Sequence, residues 1–345
     1  MSRLKLDRLN SGLVQLALLP SVRPLSTFML RVWGKRLSSV YDIRNTITIH
    51  ASPRGGSTWL AEVVQTLEGY VLLWEPVSLG SNPEISQLGF YPDTYLPQGT
   101  YDPQKRAYLH GVLTGRTLSL NHLSPKHFEV RLLRRFRGFL VKFVRGSLLL
   151  PWLLEQFPVR SIILIRHPCA VVASQLNWDA WYEIKDLSWT EKARRGIWRF
   201  PPEFQEAYPH IHDIYRTITR ADEFLALDWA IQTYVPLMEV EPGRCLLTTY
   251  EKLVVEGQQE LGRIFGYLGH RTPDAAICQL GQASTTTQRG SPFARGQGAL
   301  TGWRQTLNSD QVKRIVNIVH RVGVDFYDDG LVPDYGKLDS FWSDR

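Results

Sequence analysis

Five apolar runs rich in β-branched residues alternate with amphipathic stretches, and they predict the strands of one sheet. The runs lie near residues 46–52, 71–74, 139–145, 161–167 and 244–250. After the first run, Leu60, Val63, Val64 and Leu67 recur at helical spacing. A later helix is predicted around residues 221–237. Strands that alternate with helices indicate an α/β fold, with a doubly wound parallel sheet flanked by helices.

The domain organisation follows from where these elements fall. At 345 residues the chain can bury a sizeable core. The predicted strands span early and late sequence, which favours a single domain over residues 44–322. We expect a helical N-terminal extension over residues 1–43 and an acidic C-terminal tail over residues 323–345. The stretch 80–111 is rich in Pro, Tyr and Gly, and we interpret it as a substrate-facing insertion rather than core.

The N-terminal segment 13–30 is apolar, but Pro20, Arg23 and Pro24 interrupt it. It lacks the pattern of a membrane span and that of a cleaved signal peptide. We expect no membrane anchor with a stem ahead of the first strand. The segment predicts a helix packed on the domain, in preference to a weak contact with a membrane surface. We therefore expect a soluble cytoplasmic protein.

Positive charge is concentrated in two short stretches of a chain whose net charge is +7. The stretches hold Arg131, Arg134, Arg135, Arg137, Lys142 and Arg145, and Lys192, Arg194, Arg195 and Arg199. Basic clusters can bind nucleic acid, but no nucleic-acid-binding module is recognisable, and we expect no nucleic-acid partner. The alternatives are a polyanionic cofactor, an anionic acceptor or an ordinary solvated face. Cys169, Cys245 and Cys278 are interpreted as small core residues, and no metal site is predicted.

The loop after the first strand predicts an anion-binding site. Gly55 and Gly56 allow the backbone to curl closely around an oxyanion, and Ser57 and Thr58 add hydroxyl donors. A helix then begins, so its free N–H groups and its dipole favour negative charge at the loop. Nucleotide triphosphate loops carry a Gly-Lys pair, which this loop lacks, because its basic residue, Arg54, precedes the glycines.

A second element of the same kind follows the fourth predicted strand. That strand ends in Arg166-His167-Pro168, where Pro168 suits the first turn of a helix and Ser174 lies about two turns later. The arginine supplies a planar fork and the serine a hydroxyl, so both can converge on one phosphate. The alternative is a surface arginine beside a proline that starts a helix.

Four segments, spread over roughly residues 44–322, resemble the sulfotransferases that use 3′-phosphoadenosine 5′-phosphosulfate (PAPS). Pro53-Arg-Gly-Gly-Ser-Thr-Trp59 resembles their phosphosulfate loop, and Arg166-x-Pro168 with Ser174 resembles their 3′-phosphate element. The segment Tyr250-Glu-Lys-Leu253 resembles the end of their late strand, and Trp303-Arg-Gln-Thr-Leu307 resembles a C-terminal segment of the carbohydrate-type group. The resemblance implies a P-loop-containing sulfotransferase-like sheet, PAPS as co-substrate, 3′-phosphoadenosine 5′-phosphate (PAP) as product, and no metal.

The resemblance also implies roles for individual residues around the cofactor. Arg54 would clamp the leaving oxygen electrostatically, because arginine keeps its proton at neutral pH. Trp59 would pack on adenine. Either Arg289 or Arg295, in a Ser/Thr/Gly-rich loop, would close over the 3′-phosphate.

The base that activates the acceptor is the point at which the sequence departs from the small-phenol sulfotransferases. Lys142 matches the lysine of their Lys-Thr-His segment, but Val144 stands where the histidine belongs. We predict that Glu75 replaces it, since Trp74-Glu75-Pro76 follows the second strand and resembles a Phe-Glu-Pro segment of carbohydrate sulfotransferases. The alternatives are that Glu75 only pairs with a nearby arginine, or that His50 or His110 is the base.

We therefore expect transfer of the sulfuryl group of PAPS to an acceptor hydroxyl by in-line displacement, with a carbohydrate as the leading acceptor. Sulfation of a tyrosyl, lipid or polyketide hydroxyl stays open. Two other classes also stay open, namely a P-loop kinase or ATPase and a non-catalytic nucleotide-binding protein.

Overall fold

A five-stranded parallel sheet forms the centre of the protein in a computed structural model that describes residues 23–123, 135–177, 201–286 and 298–343. Its strands are β1 Ile47–Ala51, β2 Tyr70–Trp74, β3 Gly138–Val144, β4 Arg160–Ile165 and β5 Leu246–Thr249. All neighbouring strands pair in parallel. The predicted α/β fold with a parallel sheet flanked by helices is confirmed.

The order of the strands places a crevice beside β1. Across the sheet the order is β2-β3-β1-β4-β5, so the chain crosses from one half of the sheet to the other between β3 and β4. The carboxyl ends of β3 and β4 lie on either side of the end of β1. In open parallel sheets, this crossover point is where ligands bind.

Helices cover both faces of the sheet. They are α1 Arg23–Ser38, α2 Ser57–Val64, α3 Pro103–Leu113, α4 Leu150–Gln156, α5 Pro168–Leu176, α6 Pro202–Ala207, α7 Pro209–Thr217, α8 Ala221–Glu239, α9 Tyr250–Val255, α10 Gln258–Tyr267, α11 Asp274–Leu280, α12 Gly298–Thr301, α13 Ser309–Val322 and α14 Tyr335–Ser343. Proline opens α3, α5, α6 and α7, where its fixed φ suits the helix and its missing N–H costs no bond. The helix predicted around residues 221–237 corresponds to α8.

Alternate residues of each strand point into two separate parts of the core. On β3, Phe139, Val141 and Phe143 pack with α4, α5, α8 and α13, whereas Leu140 packs on the other face with α2 and α10. Because both faces are covered, most side chains of both sets are apolar, and Lys142 on β3 and His50 on β1 are buried exceptions. This double burial explains why the strands read as continuous apolar runs.

The interpretation of residues 80–111 as an insertion outside the core is wrong. Ile85 and Phe90 are buried in the main core, and α3 begins at Pro103 and buries Leu109. The Asp102 carboxylate accepts a hydrogen bond from the Lys105 N–H and so caps this helix. The Pro- and Tyr-rich composition masked a segment that contributes apolar packing.

Residues after α13 also join the main core. Val324, Phe326, Tyr327 and Leu338 are all buried there, and Leu338 belongs to α14. Within the described ranges, no helix combines the length and the apolar character needed to cross a membrane. The cytoplasmic location stays a prediction.

Candidate active site

The loop that joins β1 to α2, residues 52–56, is shaped by its two glycines. The Gly55 N–H donates to the Ser52 carbonyl at 2.9 Å, and a Cβ on Gly55 would lie 2.9 Å from that same oxygen. Gly56 has a φ of +95°, and a Cβ there would lie 2.7 Å from the Tyr250 ring. Only glycine fits both positions without strain. This tight turn brings Ser57 and Thr58 into the first turn of α2, at the helix end that favours anions.

Three residues that follow strands hold a left-handed backbone conformation although they carry side chains. Arg54 has a φ of 68°, Glu75 a φ of 42° and Arg145 a φ of 61°. They follow β1, β2 and β3 respectively. Such a conformation costs on the order of 1–3 kcal/mol at each residue and is concentrated at functional sites. The strain marks the carboxyl edge of the sheet as the candidate site.

Arg54 and Ser174 meet across 120 residues of sequence. The Arg54 Nε donates to the Ser174 Oγ at 3.0 Å, and Ser174 lies on α5. Burial, and then the neighbouring Arg166, lower the pKa of Arg54. The structure therefore brings the loop after β1 and the element after β4 together, and the shared phosphate site predicted for Arg166 and Ser174 stays a prediction.

Arg166 is a buried anchor of this site. Its guanidinium donates to the Arg54 carbonyl at 3.3 Å and to the Ala299 carbonyl at 3.0 Å. The same group lies 4.2 Å from the centre of the Tyr250 ring. Arg166 thus connects the loop after β1, the start of α9 and α12 in one assembly.

Lys142 and Glu75 form an ion pair beside the loop. The Lys142 ammonium lies 2.8 Å from the Glu75 carboxylate and 3.4 Å from the centre of the Trp74 ring. It also donates to the Thr58 hydroxyl at 3.2 Å. Burial holds the pKa of Lys142 below its ordinary value, although Glu75 acts in the opposite direction. Thr58 therefore links the anion loop directly to the Lys142–Glu75 pair.

The two histidines considered as alternative bases differ in their access to the site. His50 on β1 is 1% exposed, stacks on Phe143 and hydrogen-bonds to Thr48. Burial lowers its pKa to about 3. His110 lies on α3, where burial also lowers its pKa. Neither contacts Arg54, Lys142 or Glu75 through any hydrogen bond among the described residues.

Three predicted cofactor contacts stay predictions. Trp59 is 7% exposed and packs on Tyr250, with ring centres 5.0 Å apart, so little of its surface is available to an adenine ring. Arg289 and Arg295 lie outside the described residues. The Thr285 backbone N–H, shortly before them in sequence, donates to the Glu62 carboxylate on α2 at 3.1 Å. This bond holds Thr285 against α2.

Several buried residues that support the site were not predicted as part of it. Glu251 accepts hydrogen bonds from the His167 N–H at 2.8 Å and the Tyr327 hydroxyl at 2.9 Å. The Trp229 ring N–H donates to the Arg166 carbonyl at 2.9 Å, and the Gln175 amide donates to the Pro53 carbonyl at 2.8 Å. The Tyr250-Glu251 segment after β5 was a sequence signal for Glu251, whereas no local pattern marked Trp229 or Gln175.

Across the described residues, no group of three or more His, Cys, Asp or Glu side chains is arranged to hold a metal ion. What the residues do provide is a set of three cations, Arg54, Arg166 and Lys142, around hydroxyls and a helix N-terminus. Guanidinium groups and hydroxyls of this kind bind phosphate or sulfate oxygens. A carboxylate, Glu75, stands beside them.

Comparison with family models and with curated proteins gave no match. Among solved structures, the chain is similar to the sulfotransferase domain from the curacin biosynthetic pathway, with 18% identity over 79% of this chain and 96% of that one and a TM-score of 0.41. It is similar to the sulfotransferase domain of the Synechococcus PCC 7002 olefin synthase, with 16% identity, 83% and 95% coverage and a TM-score of 0.42. It is also similar to the mouse sulfotransferase SULT7A1 complexed with PAP, with 12% identity, 84% and 88% coverage and a TM-score of 0.42. Because the identities and TM-scores are this low, the function has to be inferred from the residues of this chain.

Proposed function

We propose that the protein is a PAPS-dependent sulfotransferase that transfers the sulfuryl group to a hydroxyl of a carbohydrate. The observation that carries the proposal is the contact of Thr58 with Lys142, because it joins an anion-binding loop to a carboxylate–lysine pair. The loop can hold a phosphosulfate, and the carboxylate can accept a proton from an acceptor. A site with both parts has the components that transfer between two oxygens requires.

Cofactor binding is assigned to the loop and to the element after β4. Gly55, Gly56, Ser57 and Thr58 offer backbone N–H groups and hydroxyls to the 5′-phosphosulfate, at the start of α2. Arg166 and Ser174 are assigned to the 3′-phosphate. The cofactor supplies an activated sulfuryl group, so the protein has to position it and stabilise charge.

Two side chains act on charge during the transfer. Arg54 lies at the loop and keeps its positive charge beside the bridging oxygen, on which negative charge grows as the S–O bond breaks. Lys142 adds a second positive charge from the other side. These interactions are stronger in the transition state than in the ground state, which is the condition for a faster reaction.

Glu75 is assigned as the base. It takes the proton of the acceptor hydroxyl while the acceptor oxygen forms its bond to sulfur. The ammonium of Lys142 lies 2.8 Å from the Glu75 carboxylate and holds it beside the loop. Glu75 is also held in a strained backbone conformation, with a φ of 42°, as expected for a residue whose position serves chemistry.

The proposal is tested in two steps with the full chain. Calorimetry should detect binding of PAP and weaker binding of adenosine 5′-phosphate, since the latter lacks the 3′-phosphate. Incubation with sulfur-labelled PAPS and a panel of glycans, lipids, tyrosyl peptides and phenols should then give a labelled carbohydrate. Failure to bind PAP would refute the proposal, and a labelled lipid, peptide or phenol would replace only the acceptor class.

Thermal shift with ATP and magnesium separates the kinase alternative, because a kinase would be stabilised by that pair more than by PAP. Binding of PAP without transfer to any acceptor in the panel would favour a non-catalytic nucleotide-binding protein.

A further inference from the structure

The chain turns sharply at Glu75, directly after β2, and side chains from the following segment hold this turn. The Ser78 N–H donates to the Glu75 carbonyl at 3.0 Å, which closes a β-turn with Pro76 at its second position. Proline suits that position because its ring fixes φ at the value that the turn requires. The sequence Glu75-Pro76 therefore favours a turn immediately after the strand.

The turn has to be held because Glu75 is strained in it. Its φ of 42° lies in the left-handed region, which is unfavourable for a residue with a side chain. The proline that follows adds to the cost, since residues before proline prefer an extended backbone. A turn that relaxed would change the direction of the Glu75 side chain. The contacts that fix the turn therefore also fix where the carboxylate points.

Asn82 is one of the two side chains that hold the turn. It is 0% exposed, and its amide nitrogen lies 3.4 Å from the Pro76 carbonyl and 3.5 Å from the Glu75 carbonyl. Its backbone N–H donates to the Ser78 carbonyl at 2.9 Å. Asn82 thus connects the first two carbonyls of the turn to its end, although both contacts of its amide are long.

The short contact comes from Tyr108 on α3. Its hydroxyl donates to the Pro76 carbonyl at 2.6 Å, which is at the short end of the range for such bonds. The Tyr108 ring packs on Phe90, with ring centres 5.4 Å apart. Burial raises the pKa of Tyr108, so its hydroxyl keeps the proton that it donates. The helix α3 therefore holds the turn next to Glu75.

The other anchor of Glu75 is β3. The Glu75 N–H donates to the Lys142 carbonyl at 2.9 Å, and the Lys142 ammonium lies 2.8 Å from the Glu75 carboxylate. Glu75 is thus fixed by Lys142 through its own N–H and carboxylate, and by Tyr108 and Asn82 through the carbonyls of the turn. Removing the Tyr108 hydroxyl takes away one of these anchors and leaves the ion pair with Lys142 in place.

Building on the proposed sulfotransferase function, we propose that Tyr108 is a positioning residue for the base. Its hydroxyl, together with the Asn82 amide, holds the strained turn so that the Glu75 carboxylate stays at Lys142 and is presented to the acceptor hydroxyl. Tyr108 acts through Glu75 and has no assigned contact with cofactor or acceptor. The segment 80–111 then has a second task besides apolar packing, which is to aim the base.

The test is Tyr108→Phe in the full chain, which removes the hydroxyl and keeps the ring. With labelled PAPS and the best acceptor of the panel, kcat should fall about threefold to tenfold, the factor expected for one net hydrogen bond. The KM for the acceptor and the affinity for PAP should stay unchanged. Tyr91→Phe is the matched control, because Tyr91 lies in the same segment and its hydroxyl also donates to a backbone carbonyl, that of Tyr95 at 3.3 Å. Thermal unfolding checks that both variants are folded.

The same change in a Glu75→Gln background separates positioning from a general structural role. Without a carboxylate base to aim, Tyr108→Phe should lower kcat no further, so the two changes should be non-additive. A fall by the same factor in both backgrounds would show that Tyr108 acts independently of Glu75. That result, or an unchanged kcat for Tyr108→Phe in the parent chain, would overturn the proposal.

A second measurement does not need turnover and separates this inference from the proposed function. With carbon-13 at the glutamate side-chain carboxyls, the Glu75 signal is the one that Glu75→Gln lacks. Tyr108→Phe should shift or broaden that signal, and Tyr91→Phe should leave it in place. If the signal moves but the chain binds no PAP, the positioning contact stands and the sulfotransferase proposal falls. If the chain transfers the sulfuryl group but the signal stays in place, only the role of Tyr108 is wrong.

Discussion

The two sides of Glu75 present opposite hydrogen-bonding chemistry. On one side, Arg54, Arg166 and Lys142 bring donors and positive charge to a helix N-terminus. On the other side lies a buried group of Asp93, Arg145, Asp228 and Gln232, which we call the carboxylate cluster, and three of its acceptor oxygens make no hydrogen bond to any described residue. Phosphate and sulfate oxygens need donors, whereas the hydrogens of hydroxyl groups need acceptors. In the proposed sulfotransferase, the donor-rich region would hold the cofactor, and Glu75 would lie beside it.

Replacing Glu75 should have the largest effect, because it acts on the boundary between the two sides. Glu75→Gln keeps the shape of the side chain but cannot accept a proton, so kcat should fall roughly a hundredfold to ten-thousandfold. PAP affinity should stay unchanged. The measurement is transfer from labelled PAPS to the best acceptor of the panel. The exposed Glu84→Gln is the matched control, and near-normal turnover by Glu75→Gln would give the role of base to another group, with His110 tested next.

Arg54→Ala should affect only the cofactor side. The change removes a fixed positive charge from the leaving oxygen, so kcat should fall on the order of a hundredfold to a thousandfold. PAP binding, measured by calorimetry, should weaken much less, because the stabilisation grows only in the transition state. Arg44→Ala is the control, since the Arg44 side chain is 75% exposed. A rate equal to that of the control would exclude Arg54 from the transition state.

Arg166→Ala should act on nucleotide affinity rather than rate. Loss of a charge-assisted, forked contact costs roughly 1.5–3 kcal/mol, which corresponds to a tenfold to hundredfold weaker binding of PAP. The informative readout is the ratio of affinities for PAP and adenosine 5′-phosphate, which should approach one.

Arg160→Ala provides a matched comparison for that measurement. Arg160 also donates to a backbone carbonyl, that of Leu268 at 2.8 Å, but from the opposite end of β4. Arg160→Ala should leave the ratio of the PAP and adenosine 5′-phosphate affinities unchanged, because a general loss of packing would weaken the binding of both nucleotides alike. An intact ratio in Arg166→Ala would show that the 3′-phosphate is bound elsewhere.

Asp228→Asn should leave the transfer reaction aside and change how stability depends on pH. Burial raises the pKa of Asp228 from its ordinary value of 3.8 to about 7, and Asp93 adds to the rise while Arg145 opposes it. Between about pH 4 and pH 7 the folded chain thus binds this proton more tightly than the unfolded chain does. The free energy of unfolding should therefore fall as pH rises through this window, by at most about 1.4 kcal/mol per pH unit.

The asparagine variant has no such proton, so that component of the decline should be absent. Denaturant unfolding of both chains at pH 4, 5.5 and 7 measures the difference. The stability of the variant relative to the parent should rise across the series. A constant difference would mean that Asp228 titrates at the same pH in the folded and unfolded chains.

The sequence was most informative where function depends on strands and the loops that follow them. The strand predicted near residues 71–74 corresponds to Tyr70–Trp74, and the one near 244–250 to Leu246–Thr249. Because parallel strands end at one edge, Arg54, Glu75, Lys142 and Arg166 could be grouped before any coordinates were known. In the structure, Lys142 pairs with Glu75 and Arg166 donates to the Arg54 carbonyl.

The carboxylate cluster could not be predicted in the same way. Asp228 lies in the middle of a long helix, and Asp93 lies in a segment whose composition suggested an irregular insertion. No local pattern relates two acidic residues 135 positions apart, since their proximity depends on how α8 packs over the sheet. Apolar periodicity indicates that a helix is buried but does not identify what its few polar residues meet.

The left-handed conformations of Arg54, Glu75 and Arg145 have a consequence for engineering this protein. Glycine adopts such angles at no steric cost, so glycine at any of the three positions would relieve backbone strain but would also remove a charged contact. Each replacement would remove one of the side chains on which the two sides of Glu75 depend. A screen by melting temperature alone does not register the loss of these side chains, so the three positions should be held fixed in any library screened that way.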